Sequence, residues 1–289
     1  MSHFTAKDGR STLDPGLYFV ATPIGSARDI TLRALDILRD ADVIAAEDTR
    51  TLRHLMDIHG VALGGRPLVA YHDHNGERIR PRLLRALAEG KSVAYASEAG
   101  TPLVADPGFQ LSRAAIAAGY PVRTAPGPSA AIAALTVAGL PSDRFLFAGF
   151  PPTGGGRRKW LSDLAAVRAT LIFYESPKRV GELLGDLLSS LGNRRAVVCR
   201  ELTKRFEEVT RGSLSELAAG FSDRDVKGEI VVLVDRGDEQ IADEETVDEA
   251  MRKALMQMSV KDAAQAVAEA YGLQKRAAYQ LALKIGGEE

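Results

Sequence analysis

Cysteine is nearly absent: the 289 residues include one, Cys199. A single thiol makes no intramolecular disulfide and no cysteine-rich metal site, which fits a reducing compartment. It sits in the apolar run 196–199 and reads as a small buried side chain. Net charge is equally scarce. Lys and Arg number 37 against 38 Asp and Glu, a formal balance of -1. No global positive field therefore pulls the chain toward nucleic acid or an anionic membrane, and any polyanion must be met by local patches. No stretch is long and apolar enough to span a bilayer, and residues 1–15 are polar, without the apolar core of a signal sequence. The expectation is a cytosolic protein with no membrane partner. Phosphate-cradling glycine motifs are missing too, since neither a P-loop nor G-x-G-x-x-G occurs.

What is present is alternation. The chain is 45% hydrophobic, enough for a sizeable core and long enough for two domains. Short β-branched or aromatic runs at 17–22, 42–46, 67–71, 92–96 and 120–124 are separated by segments with helical apolar spacing. In one of these, Ala34, Leu35, Leu38 and Ala41 share a face. Helices at 79–89 and 109–118 are expected to stop at Gly90 and Gly119. The pattern predicts an α/β fold with a mostly parallel sheet. Strands at 144–150, 170–174, 196–200, 207–212 and 229–235 follow, the last three with little helix between them, so a mixed sheet is expected. The organisation read from this is a flexible N-terminal tail over 1–15, an α/β domain over 16–126 and a second over 127–237. The boundary falls at Ala125-Pro-Gly-Pro128, and a linker with a small helical tail occupies 238–289.

In a parallel sheet, ligands collect beyond the carboxyl ends of the strands, where loops and helix N-termini converge. The turns Thr22-Pro-Ile-Gly25, Glu47-Asp-Thr-Arg50, Ser97 to Pro102 and Pro126 to Ala130 all fall at that edge. Each alone is more often a simple chain reversal, and Ser129 is equally a helix N-cap. Glu47, Asp48 and Glu98 change the balance, because carboxylates in small-residue turns accept hydrogen bonds from ammonium or ribose groups and repel phosphate. The ligand is expected to be polar without being strongly anionic. His72 and His74 flank Asp73, but alternate residues of an extended segment point to opposite faces, so no metal is assigned.

Ten segments in unbroken order carry a resemblance. Among them are Leu17 to Gly25, Ala45 to Arg50, Tyr71 to Asn75, Ala99 to Pro102, Asp106-Pro-Gly108, Pro126 to Ala130, Phe173 to Ser176 and Arg200 to Lys204. Over 16 to about 236 the chain resembles the RNA-modifying branch of the tetrapyrrole methylase family. The resemblance implies two α/β domains with S-adenosyl-L-methionine in the cleft between them, 2'-O-methylation of a cytidine ribose in the decoding region of 16S rRNA, and a homodimer. It implies that Pro23 and Ile24 line the entrance, Glu98 and Thr101 the methionine or ribose part, and Ser129 and Ala130 the adenosine side. Tyr174, Leu202 and Gly228 would complete the pocket. The chain departs from the family pattern at Ser26, where asparagine is usual, and at Glu98, where aspartate is usual.

Methyl transfer from a sulfonium asks chiefly for positioning and for removal of a proton. Glu47, Asp48 and Arg50 are the expected positioning groups, with Glu175 or a histidine of the His72 pair as proton acceptor; the competing reading pairs Glu47 and Asp48 with Arg50 and Arg53. RNA contacts, with naked 16S rRNA or the small ribosomal subunit, are expected at Arg157, Arg158 and Lys159 in a flexible loop before Trp160, at Lys178 and Arg179, and at Lys204 and Arg205. In the tail, Ser259 to Asp262 reads as a helix start. Two apolar-striped helices joined at Gly272-Leu273, carrying Lys275, Arg276 and Lys284, look like a helix-turn-helix, with a packing appendage as the competing reading. A tetrapyrrole-precursor methyltransferase and a non-catalytic binding module are the alternative functions.

Overall fold

The computed structural model describes residues 13–237, 244–271, 273 and 275–286, in two compact units, 1–236 and 237–289. Most of the expected N-terminal tail, part of the linker and Gly272 lie outside the described residues.

The first sheet is wholly parallel. It contains β1 (Gly16–Val20), β2 (Val43–Ala46), β3 (Leu68–Ala70), β4 (Ser92–Ala96) and β5 (Val122–Ala125) in the order β3-β2-β4-β1-β5. β1, β2 and β4 are buried at every position, as strands covered on both faces must be. Helices α1 (Leu32–Asp40), α2 (Thr49–Ile58), α3 (Gly76–Ala88) and α4 (Phe109–Ala117) fill the crossovers. One face packs Ala34, Ile37, Leu38, Leu52 and Met56 on Tyr18, Val20 and Ile44; the other packs Leu83, Leu87 and Leu111 on Leu17, Phe19 and Tyr95. α1 begins where the Thr31 hydroxyl accepts from the Ala34 amide at 3.2 Å. α2 starts immediately after the Glu47 turn, because the Asp48 carboxylate caps the Arg50 and Thr51 amides at 2.7 and 3.2 Å.

The second sheet holds β6 (Phe145–Gly149), β7 (Thr170–Glu175), β8 (Arg195–Arg200), β9 (Glu208–Ser213) and β10 (Ile230–Val234) in the order β6-β7-β10-β8-β9. Only β6 and β7 run parallel, so the sheet is mixed. Its faces divide by alternation. Leu171, Phe173, Val198 and Val232 meet α7 (Val180–Leu191), while Ile172, Val197, Cys199 and Val231 meet α5 (Ala130–Ala138). Burial pushes the Cys199 thiol up to about 12, consistent with an inert core residue.

Two expectations in this half need correction. A helix, α8 (Leu214–Phe221), separates β9 from β10, opened by a capping box between Ser213 and Glu216. The segment expected as a flexible basic loop is largely α6 (Arg157–Asp163), and Trp160 lies edge-on against Phe173 at 6.2 Å, anchoring that helix to the core.

The second unit has a core of its own. α9 (Glu244–Leu255), α10 (Val260–Tyr271) and α11 (Lys275–Gly286) enclose Val247, Met251, Ala263, Ala264, Val267, Ala268, Ala278, Ala282 and Ile285. Three helices therefore stand where the sequence reading placed a linker and two, with α9 taking residues assigned to the linker's end. The Ser259 cap is present, its hydroxyl accepting from the Asp262 amide at 3.2 Å.

Candidate active site

Because the five strands of the first sheet are parallel, the loops after β1, β2, β4 and β5 all emerge on one edge. Short-range pairing welds them together. Thr22 and Gly100 exchange backbone hydrogen bonds at 2.9 and 3.1 Å, the Thr101 hydroxyl donates to the Pro128 carbonyl at 2.9 Å, and Glu47 Oε2 accepts from the Glu98 amide at 3.2 Å. Gly25 closes onto the loop after β8: a Cβ there would lie 2.5 Å from Thr203 Oγ1, and the Ser26 amide donates to that same hydroxyl at 3.1 Å. The two sheets thus meet around a cleft of about 570 Å³.

Most of the anticipated cofactor residues line it. Pro23, Ile24, Glu98, Thr101, Ser129 and Ala130 come from the first set of loops and α5, and Tyr174 and Gly228 from the second sheet. The Tyr174 hydroxyl accepts from the Ala131 amide at 3.0 Å, fixing the start of α5 against β7. Gly228 adopts φ +92°, and a Cβ there would sit 2.4 Å from the Glu201 carboxylate, so the backbone passes this point only as glycine. Leu202 is placed differently: it is buried in the core under α5 and is not among the lining residues.

The residues expected to act in catalysis divide. Glu47 and Glu175 line the cleft; Asp48 and Arg50 do not. Asp48 is committed to capping α2 and to an ion pair with Arg50 at 3.0 Å, and these hydrogen bonds hold it down to about 2. Its pairing with Arg50 follows the competing structural reading, whereas Arg53 pairs with Asp57. Glu175 is 3% exposed and is gripped by Arg179 at 2.6 Å, by Arg157 at 3.7 Å and by the Ser176 amide at 2.7 Å. His72 and His74 stack edge to face at 5.9 Å away from the lining, His72 Nε2 lying 3.1 Å from the Asn75 amide nitrogen.

The basic candidates also separate. Arg157 is 4% exposed and surrounded by Glu175, Glu182 and Asp186, so it belongs to the interior and presents nothing to RNA. Arg179 is committed to Glu175. Arg158, Lys159, Lys178, Lys275 and Arg276 are exposed, Arg158 with Asp186 at 3.3 Å. Lys204 bridges Glu201 at 2.9 Å and Glu229 at 3.2 Å at the cleft rim, beside exposed Arg205.

Among the lining residues not singled out from sequence, one carries the largest electrostatic shift. Asp106 is half-buried, and its carboxyl is pushed up to about 7, first by burial and then by the charge of Glu47, against the lowering influence of the neighbouring Ser97 hydroxyl. Glu98 is raised for the same reasons, burial first and Glu47 next. The signal available in sequence was only the Asp106-Pro-Gly turn. Nothing in it shows that the turn folds back beside Glu47. Among the described lining residues, five carboxylates (Glu47, Glu98, Asp106, Glu175 and Glu229) face one lysine, Lys204. Such a surface stabilises a cation and disfavours a phosphate.

Comparison with known proteins agrees with this architecture. Residues 16–218 match the model of tetrapyrrole (corrin/porphyrin) methylases, and residues 241–286 match that of the RsmI C-terminal HTH domain. The chain is 48% identical over 276 residues to the ribosomal RNA small subunit methyltransferase I of Mesorhizobium japonicum, covering 94% of this chain and 93% of that one. It is 44% identical to that of Escherichia coli O157:H7, covering 94% and 96%. Among solved structures, the methyltransferase CobJ shares the fold at a TM-score of 0.60 and 20% identity, over 76% of this chain and 93% of that one. Uroporphyrin-III C-methyl transferase from Thermus thermophilus, complexed with S-adenyl homocysteine, does so at 0.53 and 24%, over 75% and 96%. With parallel and mixed sheets meeting at one cleft, and both family models matched in order, this chain belongs to the ribosomal RNA small subunit methyltransferase I family of tetrapyrrole methylases.

Proposed function

We propose that this chain transfers the methyl group of S-adenosyl-L-methionine to the ribose 2'-oxygen of a cytidine in the decoding region of 16S rRNA. The observation that carries the reading is the cleft where the two sheets meet, rich in carboxylates and poor in cations. Its donor set fits a ligand that bears a sulfonium and an ammonium group and no phosphate: Glu98 and Asp106 are both raised, first by burial and then by the charge of Glu47, and a bound cation favours their ionised forms. When bound, the cofactor supplies an activated methyl group. Glu98 and Thr101 would hold its methionine or ribose part, Ser129, Ala130 and Tyr174 its adenosine side, and Pro23, Ile24 and Gly228 the walls.

The protein's contribution is placement. Glu47 projects into the cleft from the end of β2 and is tied to the Glu98 loop, so it can orient an incoming ribose hydroxyl while fixing the cofactor loop. Asp48 and Arg50 serve this geometry indirectly, by starting α2. Glu175 with Arg157 and Arg179 forms the floor, a buried ion-pair set that resists movement. Lys159, Lys178, Lys275 and Arg276, with Arg158, supply exposed positive charge for phosphate contacts on 16S rRNA or the small subunit. A homodimer is part of the reading, carried by family likeness, and light scattering of the purified protein tests it.

The direct test is transfer of labelled methyl from S-adenosyl-L-methionine to small subunits lacking the modification, with the labelled nucleotide mapped. Label at a 2'-oxygen of a decoding-region cytidine supports the proposal, and no label in 16S rRNA overturns it. Glu47→Ala is expected to lower the single-turnover rate at least tenfold while the fold persists; a near-normal rate removes Glu47 from the site.

A further inference from the structure

Asp106 stands apart from the other carboxylates of the cleft. Glu175 and Glu229 are each bound to a cation, Glu47 is occupied by the Glu98 amide, and Glu98 feels the charge of Arg50. Asp106 has no ion pair among the described residues, and no lysine or arginine contributes to its titration. The chain is bent to place it there. Leu103 and Ala105 adopt φ of +71° and +58°, a left-handed conformation costly for residues with a Cβ, and Gly108 follows at +124°. The Tyr95 ring packs beneath, 3.2 Å from where a Gly108 Cβ would stand. Its hydroxyl, buried and without a hydrogen-bond partner, lies in the field of Glu47 and Asp106. The groups facing Asp106 are thus Glu47 from the end of β2, Tyr95, Ser97 and Glu98 from β4 and its loop, and Tyr174 from β7.

We propose that Asp106 is the group that takes the proton lost by the acceptor hydroxyl during methyl transfer. This rests on the methyl-transfer reading above. The acceptor oxygen's lone pair forms the new O–C bond, the C–S electron pair stays on sulfur, and the O–H proton passes to a carboxylate oxygen of Asp106. A cation and an anion vanish together, leaving a thioether and a carboxylic acid, so the step leaves the net charge of the cleft unchanged. The order of events follows from the same charges. A sulfonium in the cleft favours ionised Asp106, which is then ready as a base. Once the sulfonium is gone, burial and Glu47 restore the affinity of Asp106 for the proton, which lies near neutrality as a general base requires.

The experiment has a readout that needs no turnover. Calorimetric titration of the full-length protein at pH 7, in buffers of different ionisation enthalpy, counts protons released on ligand binding. S-adenosylmethionine is expected to expel on the order of half a proton more than S-adenosylhomocysteine, which lacks the positive sulfur but carries the same amino acid group. Asp106→Asn abolishes that difference while S-adenosylhomocysteine affinity stays within a few fold, and it slows single-turnover methylation by roughly 10²–10⁴-fold. Asp106→Glu recovers part of the rate. An unchanged proton difference in Asp106→Asn, or a rate within threefold of wild type, overturns the proposal. Should Asp106→Asn fail to fold, Glu47→Gln decides: removing the neighbouring negative charge must reduce the proton difference at pH 7, and no reduction overturns the assignment. The nucleotide labelled by the wild type judges the substrate separately, since the proton count involves no RNA.

Discussion

Asp106 illustrates how one residue couples function to stability. Its folded-state affinity for a proton, near pH 7, exceeds that of an unfolded aspartate, so between about pH 4 and pH 7 the folded state holds a proton that the unfolded chain has lost. Stability of the cofactor-free protein is therefore lost as pH rises through that window. Asp106→Asn is expected to raise the melting temperature at pH 8 by more than at pH 5; an equal shift at both removes the pH argument. Glu208 behaves in the opposite sense. Arg224 at 2.7 Å and Arg200 at 3.0 Å hold it down to about 2, so the stability it contributes is present above pH 4.5 and fades as pH falls toward 2. Gly228 is a different kind of residue, defined by having no side chain. Gly228→Ala places a Cβ onto the Glu201 carboxylate in a left-handed backbone, and a loss of about 1–2 kcal/mol in denaturant melts is expected. Weaker S-adenosylmethionine binding in calorimetry should accompany it.

At the scale of elements, α6 is held by a buried charge rather than by propensity. Three glycines precede it, and Arg157 reaches Glu175, Glu182 and Asp186 from its first turn while Trp160 wedges against Phe173. Removing one member of a buried ion cluster leaves the others uncompensated, at about 3–5 kcal/mol. The expectation for Arg157→Ala is the lower end of that range, because Glu182 is 64% exposed and stays solvated. Urea denaturation measures it. If the loss is instead near zero and only RNA affinity drops, Arg157 reaches nucleic acid after all. The helix starts of the first sheet show the complementary rule. Thr31 and Asp48 stop the preceding loop and begin α1 and α2 with their side chains, so Asp48 next to a catalytic candidate is an architectural residue.

The whole molecule consists of two units, each with its own core. Deleting 237–289 is accordingly expected to leave S-adenosylmethionine affinity unchanged while weakening binding to small-subunit RNA. Unchanged RNA affinity would assign the tail to packing. Within the tail, replacing Lys275 and Arg276 with alanine should reduce the slope of log affinity against log salt by about two, roughly one for each phosphate no longer neutralised. Near-neutral total charge makes this a sensitive measurement, because the molecule's overall field contributes little to the salt dependence.

Sequence alone determined the local and periodic features. All ten strands were legible because β-branched runs are short, bounded by turn residues and separated by helical spacing. The loops that line the cleft were legible because Thr22 to Gly25, Ser97 to Pro102 and Pro126 to Ala130 are distinctive in composition and ordered in the chain. α6, α8 and α9 were not, since a glycine-rich basic run, a short amphipathic segment and an acidic stretch each read more simply as connection. Their helices rest on packing that pairs residues far apart, such as Trp160 with Phe173. Charge environment was equally a tertiary matter. Nothing local distinguishes Arg157, buried among carboxylates, from exposed Arg158 beside it. Likewise only the folding of the 101–108 turn back toward Glu47 decides that Asp106 stands in the cleft without an ion pair among the described residues. Electrostatic interactions depend on distance and burial, and both are set by residues removed in the chain: Glu175, Glu182 and Asp186 for Arg157, and Glu47 for Asp106.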